Sequence, residues 1–441
     1  MTAEFETARK ADSGYGPGTA AGRSRQTCAV ASPTEQRTGN PDSPGLMLER
    51  VVTSNIRLAV KGFGYSAGSW RVDKHLRLMA DITGDGRADV VGFGEGKVWV
   101  SLAQGDGSYS AANVALQAFC FSQGWRVDRH PRFLADTTGD GTADIVGCGE
   151  DGVWVARSQG NGQFEQPRKV GDNFGYSAGA GSWRMESNPR LMADITGDGR
   201  ADLVGFAGDK VWVSLAQGDG TFSAPIPSLI DFCTAQGWRV DRHPRFLADT
   251  TGDGTADIVG CGEDGVWVAR SQGNGQFEQP RKVGDNFGYS AGAGSWRMES
   301  NPRLMADITG DGRADLVGFA GDKVWVSLAQ GDGTFSAPIP SLIDFCTAQG
   351  WRVDRHPRFL ADTTGDGTAD IVGCGDGGVW VARSQGNGQF EQPRKVVDDF
   401  GYSAGGWRTD KHPRFVADTN GDGRAEIVGF GEAGVLISQL G

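Results

Sequence analysis

Two phrases recur along this chain whose side chains could do chemistry. In the first, Trp-Arg is followed by His: Trp70-Arg71 with His75, Trp125-Arg126 with His130, Trp238-Arg239 with His243, Trp351-Arg352 with His356, and Trp407-Arg408 with His412, which accounts for all five histidines. At two further copies, Trp183-Arg184 and Trp296-Arg297, Asn188 and Asn301 take the histidine's place, and those two positions are expected to be weakened or altered. An indole packs on the apolar face of a pyranose while guanidinium and imidazole hydrogen-bond its hydroxyl or acetamido oxygens, so the set suits a neutral-sugar pocket. The competing reading is packing between repeats, the role expected of Trp99, Trp154, Trp212, Trp267, Trp325 and Trp380, each of which sits inside an apolar strand. The Trp-Arg set is expected to bind ligand because polar partners follow it and a loop of variable length precedes it.

The second phrase, Asp-x-Thr/Asn-Gly-Asp-Gly-x-Ala-Asp/Glu, occurs seven times. Its acidic positions are Asp81, Asp85 and Asp89; Asp136, Asp140 and Asp144; Asp194, Asp198 and Asp202; Asp249, Asp253 and Asp257; Asp307, Asp311 and Asp315; Asp362, Asp366 and Asp370; and Asp418, Asp422 and Glu426, with Asn420 between them. Oxygens at this spacing can wrap a hard cation, and Ca2+ tolerates such flexible shells. The third position is Thr in six copies and Asn420 only in the last, which lowers the ligand charge. The metal-free alternative is an Asx-turn, in which the first carboxylate accepts backbone N–H bonds. Calcium is expected in a subset of the loops.

Elements that position these phrases follow from their period. The starts of the Asp phrase lie 55, 58, 55, 58, 55 and 56 residues apart, close to the length of a four-stranded propeller blade. Short strands rich in Val, Ile, Phe and Trp alternate with Gly-Asp-Gly and Gly-Asn-Gly turns, whose glycines supply the positive φ that tight hairpins need. An all-β, seven-bladed propeller of four-stranded antiparallel blades is expected over residues 46–441, behind a flexible tail at 1–45 that lacks the repeat. The last unit stops short of a fourth strand, and Leu48–Val52 has no blade in front of it, so an N-terminal strand is expected to complete the C-terminal blade and close the ring. Residues 123–262 recur unchanged as 236–375, a duplication of two blades. All length variation falls between a Phe and the following Trp-Arg: Phe119 to Trp125 spans 6 residues, Phe174 to Trp183 spans 9, and Phe400 to Trp407 spans 7. Ligand contacts usually sit on such variable loops.

A net charge of −12 argues against nucleic-acid or anionic-membrane partners and suits cations. No stretch of 18 apolar residues exists, and the N-terminus lacks the apolar core of a secretory signal, which leaves the compartment open. Catalysis needs one asymmetric constellation, whereas this chain offers near-identical residues seven times; an enzyme is not expected.

The phrases Gly-Tyr-Ser-Ala-Gly-Gly-Trp-Arg at 401–408, Lys-His-Pro-Arg-Phe-Val-Ala-Asp at 411–418, Gly-Asp-Gly at 421–423 and Ile-Val-Gly-Phe-Gly-Glu at 427–432 resemble the Psathyrella velutina lectin family, and the likeness runs from about residue 50 to the C-terminus. The Asp loop is also similar to that of integrin-type FG-GAP repeats. The resemblance implies a seven-bladed, multivalent lectin for N-acetylglucosamine-terminated and, in some members, sialylated glycans, bound in pockets between blades, with Ca2+ in some loops. The alternative is an FG-GAP adhesion or protein-interaction propeller that binds no sugar. Three units depart from the pattern by carrying Cys pairs, Cys120 with Cys148, Cys233 with Cys261 and Cys346 with Cys374, for which a disulfide and paired free thiols are equally compatible.

Overall fold

The computed structural model describes residues 56–178, 183–291 and 296–441. Their 28 strands form seven four-stranded sheets, each antiparallel throughout. One blade serves for all: Arg132–Ala135, Asp144–Cys148, Val153–Ala156 and Arg168–Gly171, each strand hydrogen-bonded to the one before it. Numbering blades by the inner strand, the first begins at Arg77–Ala80, the second at Arg132–Ala135, the third at Arg190–Ala193, the fourth at Arg245–Ala248, the fifth at Arg303–Ala306, the sixth at Arg358–Ala361 and the seventh at Arg414–Ala417. Helix among the described residues is confined to three 3-10 turns, Phe121–Gln123, Thr234–Gln236 and Thr347–Gln349, all in the loops that carry Phe-Cys.

The seventh blade takes its outer strand from the other end of the chain. Arg57–Val60 pairs antiparallel with Val435–Ser438, Arg57 opposite Ile437 and Leu58 opposite Leu436. The closure is as expected, but the strand lies later than Leu48–Val52, which falls outside the described residues together with the tail at 1–45 and Cys28.

Second strands are buried at every position, as Asp144–Cys148 and Asp202–Phe206 show. This is what near-continuous β-branched runs dictate when both faces of a blade are covered. The core is a set of inter-blade layers: Leu78, Val91 and Val98 of the first blade pack with Leu134 and Ile145 of the second. A ring of main-chain bonds reinforces the layers. In each Asp phrase the N–H of the alanine at position eight donates to the carbonyl of the phrase's first Asp in the preceding blade, from Ala143 to Asp81 round to Ala88 on Asp418, all at 2.7–2.8 Å.

The cysteines lie in different layers. Cys120 packs between the first and second blades and Cys148 between the second and third. All six described cysteines are free and buried, and burial pushes the Cys120 thiol up to about 12 and the Cys148 thiol up to about 11, so they are apolar packing groups. Of the two pairings compatible with the sequence, the free thiols are the ones present.

Candidate functional site

Trp-Arg-x-x-x-His, or its Asn form in two blades, precedes each inner strand and the Asp phrase follows it, so the two constellations occupy opposite faces of the ring. Strand polarity settles what sits beside each. The turn between the second and third strands and the variable Phe-to-Trp loop lie on the histidine face; the Gly-x-Gly turn lies on the Asp face.

On the histidine face the tryptophans are packing residues. Trp183 and Trp296 are fully buried, Trp70, Trp238, Trp351 and Trp407 nearly so, and Trp125 half-buried. Each indole lies against a glycine of its own blade's second strand: a Cβ built on Gly147 would come within 2.5 Å of Trp125, and one on Gly205 within 2.6 Å of Trp183. The other side meets the loop Phe, with Phe174 and Trp183 stacked at 4.9 Å between ring centroids. The indole N–H is used as well, donating to Asn173 Oδ1 from Trp183 at 2.9 Å and to Asp231 Oδ1 from Trp238 at 3.0 Å. These rings therefore present no open face for a sugar. The third-strand set, Trp99, Trp154, Trp212, Trp267, Trp325 and Trp380, is partly buried between buried valines. These six also pack against the inter-blade cores, as expected of them, so both tryptophan sets are packing residues and only the Trp-Arg set departs from its expected role.

Arg71, Arg126, Arg184 and Arg408 brace the variable loop. Arg71 Nη1 donates to the Tyr65 carbonyl at 2.7 Å while its guanidinium lies 3.8 Å from the Tyr65 ring centre, and Arg126 does the same with Phe121 at 2.8 Å and 4.0 Å. Arg184 and Arg408 lie over Tyr176 and Tyr402 at 4.2 Å and 3.7 Å. Arg297 donates to the Tyr289 hydroxyl at 2.8 Å, Arg239 to the Thr234 carbonyl at 3.1 Å, and Arg352 is exposed. A second, buried arginine starts every inner strand. Its Nη1 donates at 2.6–3.1 Å to the carbonyl of the loop's first Phe. All seven of those phenylalanines hold φ between +57° and +61°, a conformation uncommon outside glycine. The buried guanidinium fixes the turn that aims the loop across the ring.

The histidines are buried, and four of them are oriented by the same pair of bonds. Nδ1 accepts the N–H of the phrase's own Arg at 3.1–3.2 Å in His75, His130, His243 and His412. That leaves Nε2 to carry the proton and donate to a carboxylate twenty residues on: Glu95 at 3.3 Å, Glu150 and Glu263 at 3.1 Å, Glu432 at 3.2 Å. His356 Nε2 lies 3.4 Å from Asp376. Burial holds all five imidazoles below their ordinary value, so they are neutral at pH 7.

Across the cleft, the next blade's loop completes the set. Tyr176 stands edge-on to His130 at 6.0 Å, with the Arg129 guanidinium 5.1 Å from its ring centre, and Ser177 hydrogen-bonds Glu150. Tyr289, Arg242, His243, Ser290 and Glu263 repeat this between the fourth and fifth blades. Tyr65, Lys411, His412, Ser66 and Glu432 repeat it at the ring closure. Tyr402 lies over Arg355 at 4.6 Å with Ser403 3.5 Å from Asp376, and Phe121 takes Lys74 at 4.9 Å. Three clefts thus bring together a cation, a neutral imidazole, an exposed carboxylate, an aromatic edge and a serine from two successive blades; the cleft between the sixth and seventh blades has the partly buried Asp376 as its carboxylate, and the one between the first and second sets Phe121 and the Ser122 N–H beside Lys74 and Glu95.

In the other two clefts every one of these positions differs. Between the third and fourth blades stand Ser187, Asn188, Gly208, Thr234 and Ala235; between the fifth and sixth, Ser300, Asn301, Gly321, Thr347 and Ala348. Asn188 and Asn301 are buried and donate to the Phe206 and Phe319 carbonyls at 3.2 Å. A recess of about 590 Å3 remains, lined by Glu186, Ser187, Gly208, Thr234, Ala235, Arg239 and Val240. The carboxylate, the cation before His and the loop aromatic were absent from the sequence expectation. Their signal was present in the repeats, since they change together with His, but only when compared cleft by cleft.

On the opposite face the Asp loops hold themselves. Asp136 accepts the N–H groups of Thr138 and Gly139 on Oδ1 at 3.0 and 2.7 Å and of Gly141 on Oδ2 at 2.8 Å. Asp81, Asp194, Asp249, Asp307, Asp362 and Asp418 do likewise in their loops. The ninth-position groups Asp89, Asp144, Asp202, Asp257, Asp315, Asp370 and Glu426 are buried and accept backbone N–H bonds from both sides of the loop or from its second residue. Position five turns to its neighbour: Asp85, Asp198 and Asp311 pair with Arg87, Arg200 and Arg313, while Asp140, Asp253 and Asp366 accept Thr hydroxyls at 2.6–2.7 Å. In the last loop the Asn420 amide points at Asp422 and Glu426 at 3.3 and 2.9 Å, occupying with its own donor the place between two carboxylates. Among the described residues no three acidic or His/Cys side chains converge as a metal site would require. As folded, the loops do not fit a calcium shell; a cation would have to displace these donors.

Fold and clefts define a seven-bladed propeller built from FG-GAP-like repeats, and the FG-GAP-like repeat family model matches residues 362–429. An Agrocybe aegerita lectin, solved to explain its specific recognition of non-reducing terminal N-acetylglucosamine, is 44% identical with a TM-score of 0.77, the match covering 80% of this chain and 88% of that one. The chain belongs to this family of propeller lectins, to which the resemblance to the Psathyrella velutina lectin also pointed. A Photorhabdus luminescens Tc holotoxin pore matches at 17% identity over 78% of this chain and 16% of its own, with a TM-score of 0.47 that carries no functional argument. No curated protein sequence is matched.

Proposed function

We propose that the chain is a multivalent lectin that binds terminal N-acetylglucosamine in the clefts between blades. The observation that carries this reading is the convergence of an exposed carboxylate, a cation and an aromatic edge from two blades over a histidine of fixed tautomer, in a chain 44% identical to a lectin for that sugar. The carboxylate accepts two adjacent sugar hydroxyls, the cation donates to an acetamido or hydroxyl oxygen, and the aromatic edge gives the sugar an apolar contact. The same carboxylate repels an acidic sugar, so neutral GlcNAc termini are favoured over sialylated ones, which the neighbouring Arg or Lys accommodates more weakly. Several weak sites on one rigid ring give avidity on a dense glycan surface.

A glycan array probed with the full chain tests the reading. Retention of GlcNAc-terminated glycans is expected; an array on which no such glycan is retained, with calcium present or absent, removes it in favour of the adhesion propeller. Calcium enters this reading only as a competitor of the loop N–H donors for the carboxylate oxygens. Titration of chelator-treated protein decides it, and no change in melting temperature on removing the metal is expected, because the loop carboxylates are already satisfied.

A further inference from the structure

We infer that the ring carries five sugar-binding clefts and two silent ones, the silent pair lying between the third and fourth and between the fifth and sixth blades. This rests on the lectin reading and deepens it.

The support lies in how five positions change together. Ser187 and Asn188 belong to the start of the third blade, Gly208 to its second hairpin, and Thr234 and Ala235 to the loop that opens the fourth. The fourth blade itself keeps Arg242, His243 and Glu263, and its far cleft keeps Tyr289 and Ser290. The changes therefore follow the spatial cleft and cut across the sequence repeat. A blade weakened as a folding unit would change within one repeat; a binding unit that has lost its ligand changes across two. The cleft between the fifth and sixth blades is a duplicate of this one and adds no independent case, but the intact clefts at the ring closure and between the first two blades lie outside the duplicated segments and retain the set with Lys for Arg and Phe for Tyr.

Chemically the silent clefts lack the groups the other five place at these positions, although Glu186 and Arg239 line the recess that remains. Gly208 removes the carboxylate that would take a pair of hydroxyls, Ser187 the cation, and Thr234 the aromatic edge, while Asn188 turns its amide onto the Phe206 carbonyl at 3.2 Å. The backbone is unaltered: Ala235 N–H still reaches the Gly208 carbonyl at 2.8 Å, as Ser177 N–H reaches Glu150 at 2.9 Å. A Cβ at Gly208 would meet nothing closer than the Thr234 hydroxyl at 3.9 Å, so the cleft has room to take the missing side chains back.

Equilibrium dialysis of the full chain against N-acetylglucosamine counts the sites. About five bound per chain is expected. A count near seven, in one affinity class or two, overturns the inference while leaving the lectin reading intact; no bound sugar at all removes the lectin reading itself. A second arm grafts the set into the silent cleft: Ser187→Arg, Asn188→His, Gly208→Glu, Thr234→Tyr and Ala235→Ser together should raise the count by one. A folded graft with the parent's count overturns the assignment of these positions, and Glu263→Gln should lower the parent's count by one whether or not the graft folds.

Discussion

At the scale of single residues, the roles of Trp and Glu are separable by experiment. Trp183 is fully buried against Gly205 and Phe174, so Trp183→Ala removes a core ring and is expected to cost about 3–5 kcal/mol, read as a fall in denaturation midpoint. Glu150 is exposed and bonded only to His130 and Ser177, so Glu150→Gln should leave the midpoint within about 0.5 kcal/mol. The same change removes a charge-assisted acceptor and should weaken sugar binding at that cleft by about 1.5–3 kcal/mol. If Trp183→Ala kept the parent's midpoint, the tryptophan would not be a core residue and the assignment here would be reversed.

At the scale of elements, the loop between Phe and Trp-Arg is the positioning device. Its first residue is held at positive φ by a buried guanidinium, its aromatic is braced by the Trp-Arg guanidinium, and its serine reaches the preceding blade's carboxylate. The histidine that faces it gives a pH signature. The five imidazoles have folded pKa values below 6.5, so above that pH they are neutral in both states. As pH falls through 6.5 the unfolded chain takes up protons that the folded chain refuses, and stability is lost. The buried loop carboxyls work the other way: burial raises Asp89 to about 7 and Asp144 to about 6, so their contribution is complete below about pH 4 and lost as pH rises through 6–7. A comparison that holds the carboxyls constant isolates the imidazoles. The double variant His130→Asn, His243→Asn copies the side chain that blades three and five already carry, and its melting temperature should fall less between pH 7 and 5 than the parent's. An equal fall would mean that these histidines do not titrate on unfolding.

At the scale of the whole molecule, Arg57–Val60 supplies the fourth strand of the seventh blade and joins the two ends of the described chain in one sheet. A chain shortened to begin after Val60 would expose the backbone of Val435–Ser438 and uncover the apolar layer of Phe430, Val435 and Ile437 that Val60 joins. Lower melting temperature and concentration-dependent association in size-exclusion chromatography are expected; an unchanged monomer of parental stability would show that the strand is dispensable. Much of the architecture was legible beforehand, because period counts blades, and glycine-bounded apolar runs such as Val153–Ala156 have no other stable use. The site was legible only in part. His130 was visible as a recurrent polar residue, whereas Glu150 lies twenty positions away and Tyr176 in the next repeat, and no linear phrase joins them. The tryptophans misled for a related reason: their polar neighbours in sequence point elsewhere in space, while Gly205, which seats Trp183, is a strand residue more than twenty positions on.

The sequence by itself determined the number of blades, the closure of the ring by its own N-terminal strand and the single loop that absorbs length change, since these depend on local turn chemistry and on the period at which it recurs. Only the tertiary structure decided which aromatic is buried, that the Asp phrases turn their carboxylates onto their own backbone, and that each cleft is shared by two repeats. Those outcomes depend on which side chains meet across a blade boundary, and that boundary lies between residues the chain keeps apart.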